Sequence, residues 1–335
     1  GQDSIPLYKE MWRFLTTYDW MWFALSGFVL MVMAGVTSYK KARAKMSYET
    51  WWMVHILTYA AVAASFMHQV INGQMFIGHP LNRAYWTLLY VLMAGAIIYW
   101  RFWVPFYRSM KVNLKVEKVI VEGPGVVSVI MKGKHLDTLN AQGGQFFSWR
   151  FIDKNHWYQS HPYSLSAAPT NNKLRITVKA LGDSSSQLSK LKIGTRVFIE
   201  GPYGIFKASS ARAGRHIVLI GGGVGITPLR AIMEEFDPTT QIDVLYRAST
   251  NEDLVLKDEL DKLANKIGAK VHYLVGSRKD HPISYEYLKK LLPNFADTEV
   301  FVCGPQPLVD AVKQAAKRAG IPKNRFHDEA FAFHD

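Results

Sequence analysis

One apolar stretch constrains this chain more than any other feature. Residues 51–71 read WWMVHILTYAAVAASFMHQVI, contain no Asp, Glu, Lys or Arg, and are long enough to cross a bilayer as a helix. The stretch also carries His55 and His68. Because ionisable side chains are costly at membrane depth, these two histidines are expected to mark a functional site.

The spacing of the two histidines favours a particular use. They are thirteen positions apart, or about 20 Å along a helix, which places one imidazole near each face of a membrane. Imidazole nitrogen is a usual axial ligand of haem iron, so His55 and His68 are candidate ligands for two haems stacked across the bilayer. On an ideal helix the rings lie roughly 140° apart, so a shared haem-facing side requires a kink or a π-bulge. The alternative is that both histidines hydrogen-bond to neighbouring helices.

All the long apolar runs lie before about residue 106. They predict three membrane spans, at about 20–39, 50–71 and 86–107. The connection between the first two spans is basic, which predicts that it lies in the cytoplasm together with everything after residue 110. Its cations are Lys40, Lys41, Arg43 and Lys45.

Composition limits the remaining classes of function. The net charge is +13, but the basic residues are not gathered into one run with interleaved aromatics, so no nucleic-acid partner is expected. The only cysteine is Cys303, which excludes an intrachain disulfide and fits a reducing compartment. The chain begins with Gly rather than Met, which suggests a fragment or a processed product.

The pattern changes after the last apolar run. Residues 109–211 contain about six short alternating segments separated by Gly and Pro, which predict a small antiparallel β-barrel. Residues 212–335 alternate strand and helix patterns, which predict a parallel sheet covered by helices on both faces. The expected fold is therefore multi-domain, with an α-helical transmembrane segment over residues 1–108, the barrel, and an α/β nucleotide-binding domain.

A glycine-rich turn lies where a phosphate site belongs in such a domain. The sequence GGGVGITP, residues 221–228, follows a predicted strand and precedes a predicted helix, whose amino terminus favours anions. The ordinary dinucleotide fingerprint is not met, because Ile226 occupies its last glycine position. An ordinary glycine-rich turn is the alternative.

Four motifs in order make the assignment more specific. They are HPYS at 161–164, GPYG at 201–204, GGGVGITP at 221–228 and VCGP at 302–305. Together they resemble the ferredoxin–NADP reductase superfamily, in which a flavin-binding barrel precedes a pyridine-nucleotide domain. His161 stands where many members have Arg, and this form is similar to the membrane branch of NADPH oxidases and ferric reductases. The helix with the histidine pair resembles the fifth span of their six-span core, and its neighbours resemble the fourth and sixth.

The resemblance also implies that part of the core is absent from this sequence. Family members carry a second histidine pair on the third span, and no upstream apolar segment is present to hold it. Either the first three spans are missing or a partner subunit supplies the ligands, and without them the chain is not expected to hold haem.

The resemblance assigns a set of residues to FAD. Ser164 would lie by flavin N5, Tyr163 would pack on the isoalloxazine or the ribose, and His161 would face the pyrophosphate. The alternatives are a buried barrel tyrosine for Tyr163, a surface histidine for His161 and, for the serines at 184–186, an ordinary helix cap. The remaining FAD residues implied by the resemblance are Pro162, Lys179, Gly182, Ser184, Ser185 and Ser186.

A second set is assigned to the nicotinamide nucleotide. Cys303 would flank the nicotinamide beside Ser164, and these two are the candidate catalytic residues; simple burial is the alternative for Cys303. Arg247 and Arg278 would read a 2′-phosphate and favour NADPH, unless they are solvated surface charges, while Glu252 and Asp253 keep NADH possible. The pyrophosphate and nicotinamide residues are Gly222, Gly223, Gly225, Thr227, Pro228, Gly304 and Pro305. Phe331 and Phe333 would lie near the flavin face.

The predicted function is electron transfer across the cell membrane. NADPH would reduce FAD in the cytoplasm, and electrons would pass through two b-type haems to an external ferric chelate or O2. One alternative is a haem-free, membrane-anchored NAD(P)H flavin reductase that serves a soluble or quinone acceptor. Another is a non-enzymatic membrane sensor that only binds nucleotide.

Overall fold

A computed structural model describes residues 6–43, 46, 48–153, 159–180, 185, 187–212 and 214–331. The chain divides into two compact units, Gly1–Arg101 and Phe102–Asp335. The first unit is helical, and the second contains all the described strands.

The amino-terminal part is built from apolar helices. Within the described residues, three helical stretches are long and apolar enough to cross a membrane, namely Met21–Ser38, Thr50–Asn72 and Pro80–Val112. The third extends beyond 86–107 at both ends, and its start at Pro80 suits proline, whose missing N–H is not needed in the first turn. The helices are α1 (Leu7–Thr17), α2 (Met21–Ser38), α3 (Lys40–Arg43), α4 (Tyr48–Asn72), α5 (Pro80–Ile97) and, after a π-helical turn at Ile98–Trp103, α6 (Val104–Val112).

The histidine-bearing helix is α-helical along its whole length. No π-turn interrupts α4 between Tyr48 and Asn72, and the π-turn of this region lies after α5 instead. The two imidazoles therefore leave α4 on different sides, as thirteen regular helical positions require.

Helices α2 and α4 approach closely where Gly27 faces Ala61. A β-carbon built on Gly27 would lie 2.6 Å from Ser65 Oγ and 2.7 Å from the carbonyl oxygen of Ala61. Both Gly27 and Ala61 are buried. Small residues allow this contact, as is common between helices in membranes.

Replacing Gly27 with leucine is expected to destabilise the α2–α4 pair by about 1–3 kcal/mol, because the new side chain must displace α4 backbone. Thermal unfolding of the full chain in detergent measures this loss. Gly35 is a matched control on the same helix, since a β-carbon there meets nothing within 4 Å. Equal losses for Gly27→Leu and Gly35→Leu would contradict the proposed packing.

After α6, the second unit forms a six-stranded antiparallel barrel. Its two three-stranded sheets have the orders β1-β2-β5 and β4-β3-β6. Bridges between Lys115 and Arg196 and between Leu165 and Ile176 join them at both edges. The strands are β1 (Lys115–Gly123), β2 (Val126–Lys132), β3 (Phe146–Phe151), β4 (His161–Ser164), β5 (Lys173–Lys179) and β6 (Val197–Tyr203). Alternate residues fill the interior, where Phe147, Trp149 and Phe151 are fully buried.

The rest of the unit is a parallel sheet of five strands in the order β11-β10-β7-β8-β9. Helices cover both faces, so the central strands are rich in apolar residues. The strands are β7 (Ile217–Gly222), β8 (Ile242–Ala248), β9 (Lys270–Val275), β10 (Glu299–Pro305) and β11 (Phe326–Phe331). The helices are α7 (Ile226–Met233), α8 (Lys257–Ile267), α9 (Tyr285–Leu291) and α10 (Gln306–Arg318). The predicted fold class is confirmed.

Strand β11 is the one element of this sheet that the sequence pattern did not indicate. It pairs in parallel with β10 from Val300–Phe326 to Pro305–Phe331. The segment FHDEAF has three polar residues in a row, so it lacks the apolar run of a buried strand. Main-chain pairing with β10 defines this strand.

Candidate functional site

The glycine-rich turn packs directly against the end of β10. Strand β7 ends at Gly222, a 3₁₀ turn spans Gly223–Gly225, and α7 begins at Ile226. A β-carbon on Gly225 would lie 2.1 Å from the carbonyl oxygen of Cys303. Gly223 has φ +55°, and a β-carbon there would enter open space. The open space beside Gly223 fits the close approach of a pyrophosphate to the backbone of the turn.

The position of this turn in the sheet is the expected one for a ligand site. Strands β8 and β9 follow β7 on one side, and β10 then pairs with β7 on its other side. The strand order therefore reverses between β7 and β10. Ligands of open α/β sheets bind at such a point, beyond the carboxyl ends of the strands. The predicted residues Thr227 and Pro228 are buried in the first turns of α7.

The side chain of Cys303 lies in the core between the sheet and α7, and is buried. Burial raises the pKa of its thiol well above the ordinary value, and the charge of Glu329 raises it further. The sulfur is therefore an uncharged thiol at neutral pH. Gly304 follows with φ +158°, and a β-carbon there would approach the backbone of Gly222 to 3.2 Å.

Glu329 lies beside Cys303 and was not among the residues predicted from the sequence. It is the register partner of Cys303 across β10 and β11, and no described residue hydrogen-bonds its buried Oε2. Burial raises the pKa of Glu329 to about 7. The sequence feature that could have indicated Glu329 is an acidic residue just before Phe331 and Phe333.

The barrel contributes β4, whose side chains alternate between its two faces. Tyr163 packs partly against the barrel core, and its ring lies 6.1 Å from the ring of His161. Burial raises the pKa of Tyr163 to about 12. On the face of the strand opposite to Tyr163, Ser164 is half-buried and Pro162 is exposed. The flavin roles of these four residues stay predictions.

Arg247 is anchored in the protein. Its guanidinium donates hydrogen bonds to the carbonyl oxygens of Ala248 at 2.6 Å, Leu274 at 2.7 Å and Gly276 at 2.7 Å, at the carboxyl ends of β8 and β9. These contacts use at least three of its five N–H donors. Arg278 is exposed in the following loop.

The structure gives positions for four more of the predicted residues, and four others lie outside the residues that it describes. Lys179 is half-buried at the end of β5, opposite Val126. Ser185 has helical backbone, and the backbone of Phe331 pairs with Pro305. Asp253 is used in a capping box with Thr250. Gly182, Ser184, Ser186 and Phe333 lie outside the described residues.

In the helical unit, the surroundings of His55 suit an iron ligand. Nδ1 lies 2.8 Å from the carbonyl oxygen of Trp51, which can only accept, so Nδ1 carries a hydrogen. In the neutral ring Nε2 then presents its lone pair to the hydroxyl of Ser38, 2.8 Å away on α2. That hydroxyl also lies 2.8 Å from the carbonyl oxygen of Ala34, so it keeps a partner if Nε2 binds a metal instead.

The surroundings of His68 differ. The amide nitrogen of Asn72 donates to the carbonyl oxygen of Asp19 at 2.6 Å and lies 3.2 Å from Nδ1 of His68. Nδ1 therefore accepts, and the neutral ring carries its hydrogen on Nε2. Iron ligation through Nε2 requires the opposite tautomer. Within the described ranges no cluster of three or more His, Cys, Asp or Glu side chains is arranged for a metal ion.

Three protein families match successive parts of the chain. Residues 2–66 match the ferric reductase like transmembrane component, residues 111–207 an FAD-binding domain, and residues 219–314 the oxidoreductase NAD-binding domain. The order is that of the described helices, barrel and parallel sheet.

Curated relatives match about half of the chain or somewhat more. NADH-cytochrome b5 reductase 1 of Lodderomyces elongisporus is 31% identical over 216 residues, covering 59% of this chain and 72% of that protein. The protein of the same name from Pyricularia oryzae is 30% identical over 194 residues, covering 51% and 61%. The chain spans 50% to 61% of the length of the Pyricularia protein and of three further relatives.

Solved structures share the fold of the second unit. The FAD/NAD-binding domain of nitric oxide dioxygenase from Vibrio cholerae superposes with a TM-score of 0.54 at 22% identity, covering 66% of this chain and 99% of that one. The prediction of an NAD(P)H-dependent flavoprotein oxidoreductase is confirmed at the level of its domains, and the helical part is membrane-associated. The chain belongs to the ferredoxin–NADP reductase superfamily, in its ferric reductase-like transmembrane branch.

Proposed function

We propose that this protein moves electrons from cytoplasmic NAD(P)H, through FAD and b-type haem, to an acceptor on the far side of the cell membrane. The observation that carries the proposal is one chain that joins a ferric reductase-like membrane segment to FAD- and NAD-binding domains. The basic connection between α2 and α4 supports a cytoplasmic location for the flavin and nucleotide domains. The acceptor is a ferric chelate or O2.

The residues of the second unit would bind and orient the two redox partners. The turn Gly223–Gly225 would bind the nucleotide pyrophosphate through its backbone, and Ser164 would hydrogen-bond the flavin. Bound FAD supplies the conversion of a two-electron donor into one-electron steps. The uncharged Cys303 and the buried surroundings of Glu329 would exclude water from the nicotinamide.

The membrane segment would hold haem through His55 and His68. His55 fits this role as described, because Nε2 presents a lone pair. His68 fits it only after Asn72 releases Nδ1. The remaining axial ligands would come from further spans or from a partner subunit, since two bis-histidine haems need four histidines.

Optical spectroscopy of the complete protein in detergent tests the proposal. We expect a Soret band that His55→Leu and His68→Leu each weaken, and reduction of both flavin and haem on anaerobic addition of NADPH. Dithionite provides the fully reduced reference. A flavin spectrum that neither variant changes, with no Soret band, would remove the haem assignment.

The second candidate is a haem-free, membrane-anchored NAD(P)H flavin reductase. It is favoured by the relatives named NADH-cytochrome b5 reductase 1. In that case NADH or NADPH reduces the flavin, and a soluble or quinone acceptor reoxidises the flavin. The absorption bands of haem are absent.

The choice between NADPH and NADH provides a separate prediction. If exposed Arg278 binds the 2′-phosphate, Arg278→Ala lowers kcat/KM for NADPH at least tenfold and leaves NADH unchanged, because a charge-assisted contact contributes about 1.5–3 kcal/mol. Steady-state kinetics with both nucleotides measures this. Arg247→Ala is the comparison, since it removes hydrogen bonds to three backbone carbonyls and is expected to lower stability as well. An equal effect of Arg278→Ala on both nucleotides would exclude the assignment.

A further inference from the structure

Helix α7, which begins at the glycine turn, is attached to the barrel by the two acidic side chains that directly follow it. Glu235 accepts a hydrogen bond from the backbone N–H of Gly143 at 2.6 Å. Glu234 accepts one from the backbone N–H of Ala168 at 2.7 Å. Both donors belong to barrel loops. The helix that would bind the nucleotide is thus fixed to the domain that would bind the flavin.

Arg230 lies at the centre of this attachment and is only 7% exposed. Its guanidinium donates to both carboxylate oxygens of Glu234, at 2.6 and 2.7 Å, and forms an ion pair with Glu259 of α8 at 2.6 Å. Arg175 of barrel strand β5 donates to the other oxygen of Glu259 at 2.8 Å and to the carbonyl oxygen of Ser166 at 2.6 Å. Nη1 of Arg230 also approaches that carbonyl oxygen, at 3.4 Å. Two arginines from different domains therefore share one carboxylate and one carbonyl.

The charges of this network are balanced. Burial would raise the pKa of Glu259, but the hydrogen bond from Arg175 and the charges of Arg230 and Arg175 outweigh it and hold the pKa below its ordinary value. Buried ion pairs contribute little net stability against apolar replacements, yet removing one partner is costly. A network of this kind is therefore better suited to fixing one geometry than to adding stability.

Its location connects the two halves of the site. Ser166 is two residues after Ser164, the predicted partner of flavin N5, and Arg230 is five residues after Gly225 of the nucleotide turn. The network thus joins the segment that would hold the flavin ring to the helix that would hold the nicotinamide nucleotide.

We propose that Arg230 is a positioning residue that fixes the nicotinamide relative to the flavin. This rests on the proposed reaction, in which the nicotinamide C4–H bond breaks, its hydride bonds to flavin N5 and a solvent proton completes the reduced flavin. NAD(P)H is oxidised to NAD(P)⁺ and FAD is reduced. Such a transfer needs the reacting atoms about 3–3.5 Å apart, and a displacement of about 1 Å can cost on the order of a hundredfold in rate.

Stopped-flow reduction of the full-length protein tests the proposal. At saturating NADPH under anaerobic conditions, Arg230→Met is expected to slow flavin reduction at least tenfold, while the half-saturating NADPH concentration changes less than threefold. The long-wavelength charge-transfer band between flavin and nicotinamide is expected to weaken. Arg230→Lys is expected to recover only part of the rate, because an ammonium group cannot reproduce the guanidinium fork.

Two further variants separate positioning from folding. Arg230→Met leaves Glu234 and Glu259 without their partner, whereas the triple variant Arg230→Met/Glu234→Gln/Glu259→Gln removes those charges too. The triple variant is expected to keep its FAD and unfold within a few degrees of the wild type, yet to remain slow. Arg318→Met, which removes an exposed ion pair with Glu286, is the control and is expected to react at the wild-type rate.

The outcomes are distinct. A wild-type rate in Arg230→Met, or recovery of that rate in the triple variant, would overturn the positioning role while leaving the proposed function intact. A wild-type flavin that neither NADPH nor NADH reduces would remove the proposed function and this inference with it.

Discussion

Gly225→Ala is expected to destabilise the nucleotide domain by about 3 kcal/mol or more, the upper range for overpacking. The added β-carbon would lie 2.1 Å from the oxygen and 2.6 Å from the carbon of the Cys303 carbonyl. Both are backbone atoms of a central strand, so no side-chain rotation can relieve the clash. The turn and β10 must separate, which opens the sheet at its ligand-binding edge.

Thermal unfolding followed by release of flavin fluorescence measures this effect. For a domain of this size about 3 kcal/mol corresponds to a fall of roughly 6–12 °C in Tm. We also expect NADPH to cease protecting the variant against unfolding, because the pyrophosphate site is deformed.

Gly223→Asn is the matched control in the same turn. Gly223 has φ +55° and open space at its β position, and asparagine tolerates left-handed backbone better than other residues. The cost in stability is expected to be within about 1 kcal/mol. Its side chain would nevertheless occupy the open space beside the turn, so NADPH binding should weaken. Equal stabilities for Gly225→Ala and Gly223→Asn would refute the close packing of the turn on β10.

The contrast between these two glycines shows what the sequence can and cannot provide. The motif GGGVGITP predicted a turn between strand and helix, and the turn forms there. The sequence did not distinguish the glycine that accommodates the neighbouring strand from the one that leaves space for a ligand. That distinction depends on β10, about eighty residues later in the chain.

Strand patterns were predictable where burial dictates them. The barrel strands alternate, and β7, β8 and β10 carry short apolar runs, because one or both faces are covered. Strand β11 was missed because its side chains are mixed and its pairing is a backbone property. The predicted domain limits of 109–211 and 212–335 stay predictions, since the second unit packs as one body from Phe102 onwards.

Contacts between distant segments account for the rest of the unpredicted site. Arg175, Arg230 and Glu259 are separated by up to 84 positions and read as ordinary surface charges in the sequence. Only the fold brings them together around Ser166. The same holds for Ser38 and His55, whose hydrogen bond depends on the crossing of α2 and α4.

Glu329→Gln is expected to make the protein more resistant to unfolding at alkaline pH than the wild type. The folded-state pKa of Glu329, about 7, lies above the ordinary value of 4.5 because the carboxyl group is buried. Below pH 4.5 the carboxyl group is protonated in both the folded and the unfolded protein, so it does not affect stability. Between pH 4.5 and 7 it ionises in the unfolded chain, while the folded site, which disfavours charge, keeps it protonated. Wild-type stability therefore falls across this window, and the loss approaches the order of 3 kcal/mol above it, at about 1.4 kcal/mol per unit of pKa difference.

Glutamine keeps the shape of Glu329 but cannot ionise, so its advantage over the wild type should be small at pH 5 and largest near pH 8.5. Urea unfolding at a series of pH values measures the difference. Glu286→Gln provides the control, because Glu286 is exposed and a hydrogen bond with its own backbone lowers its pKa. A Glu329→Gln advantage that stays constant from pH 5 to 8.5 would mean that the carboxyl group gains a partner in solution, and that its burial beside Cys303 does not set its charge.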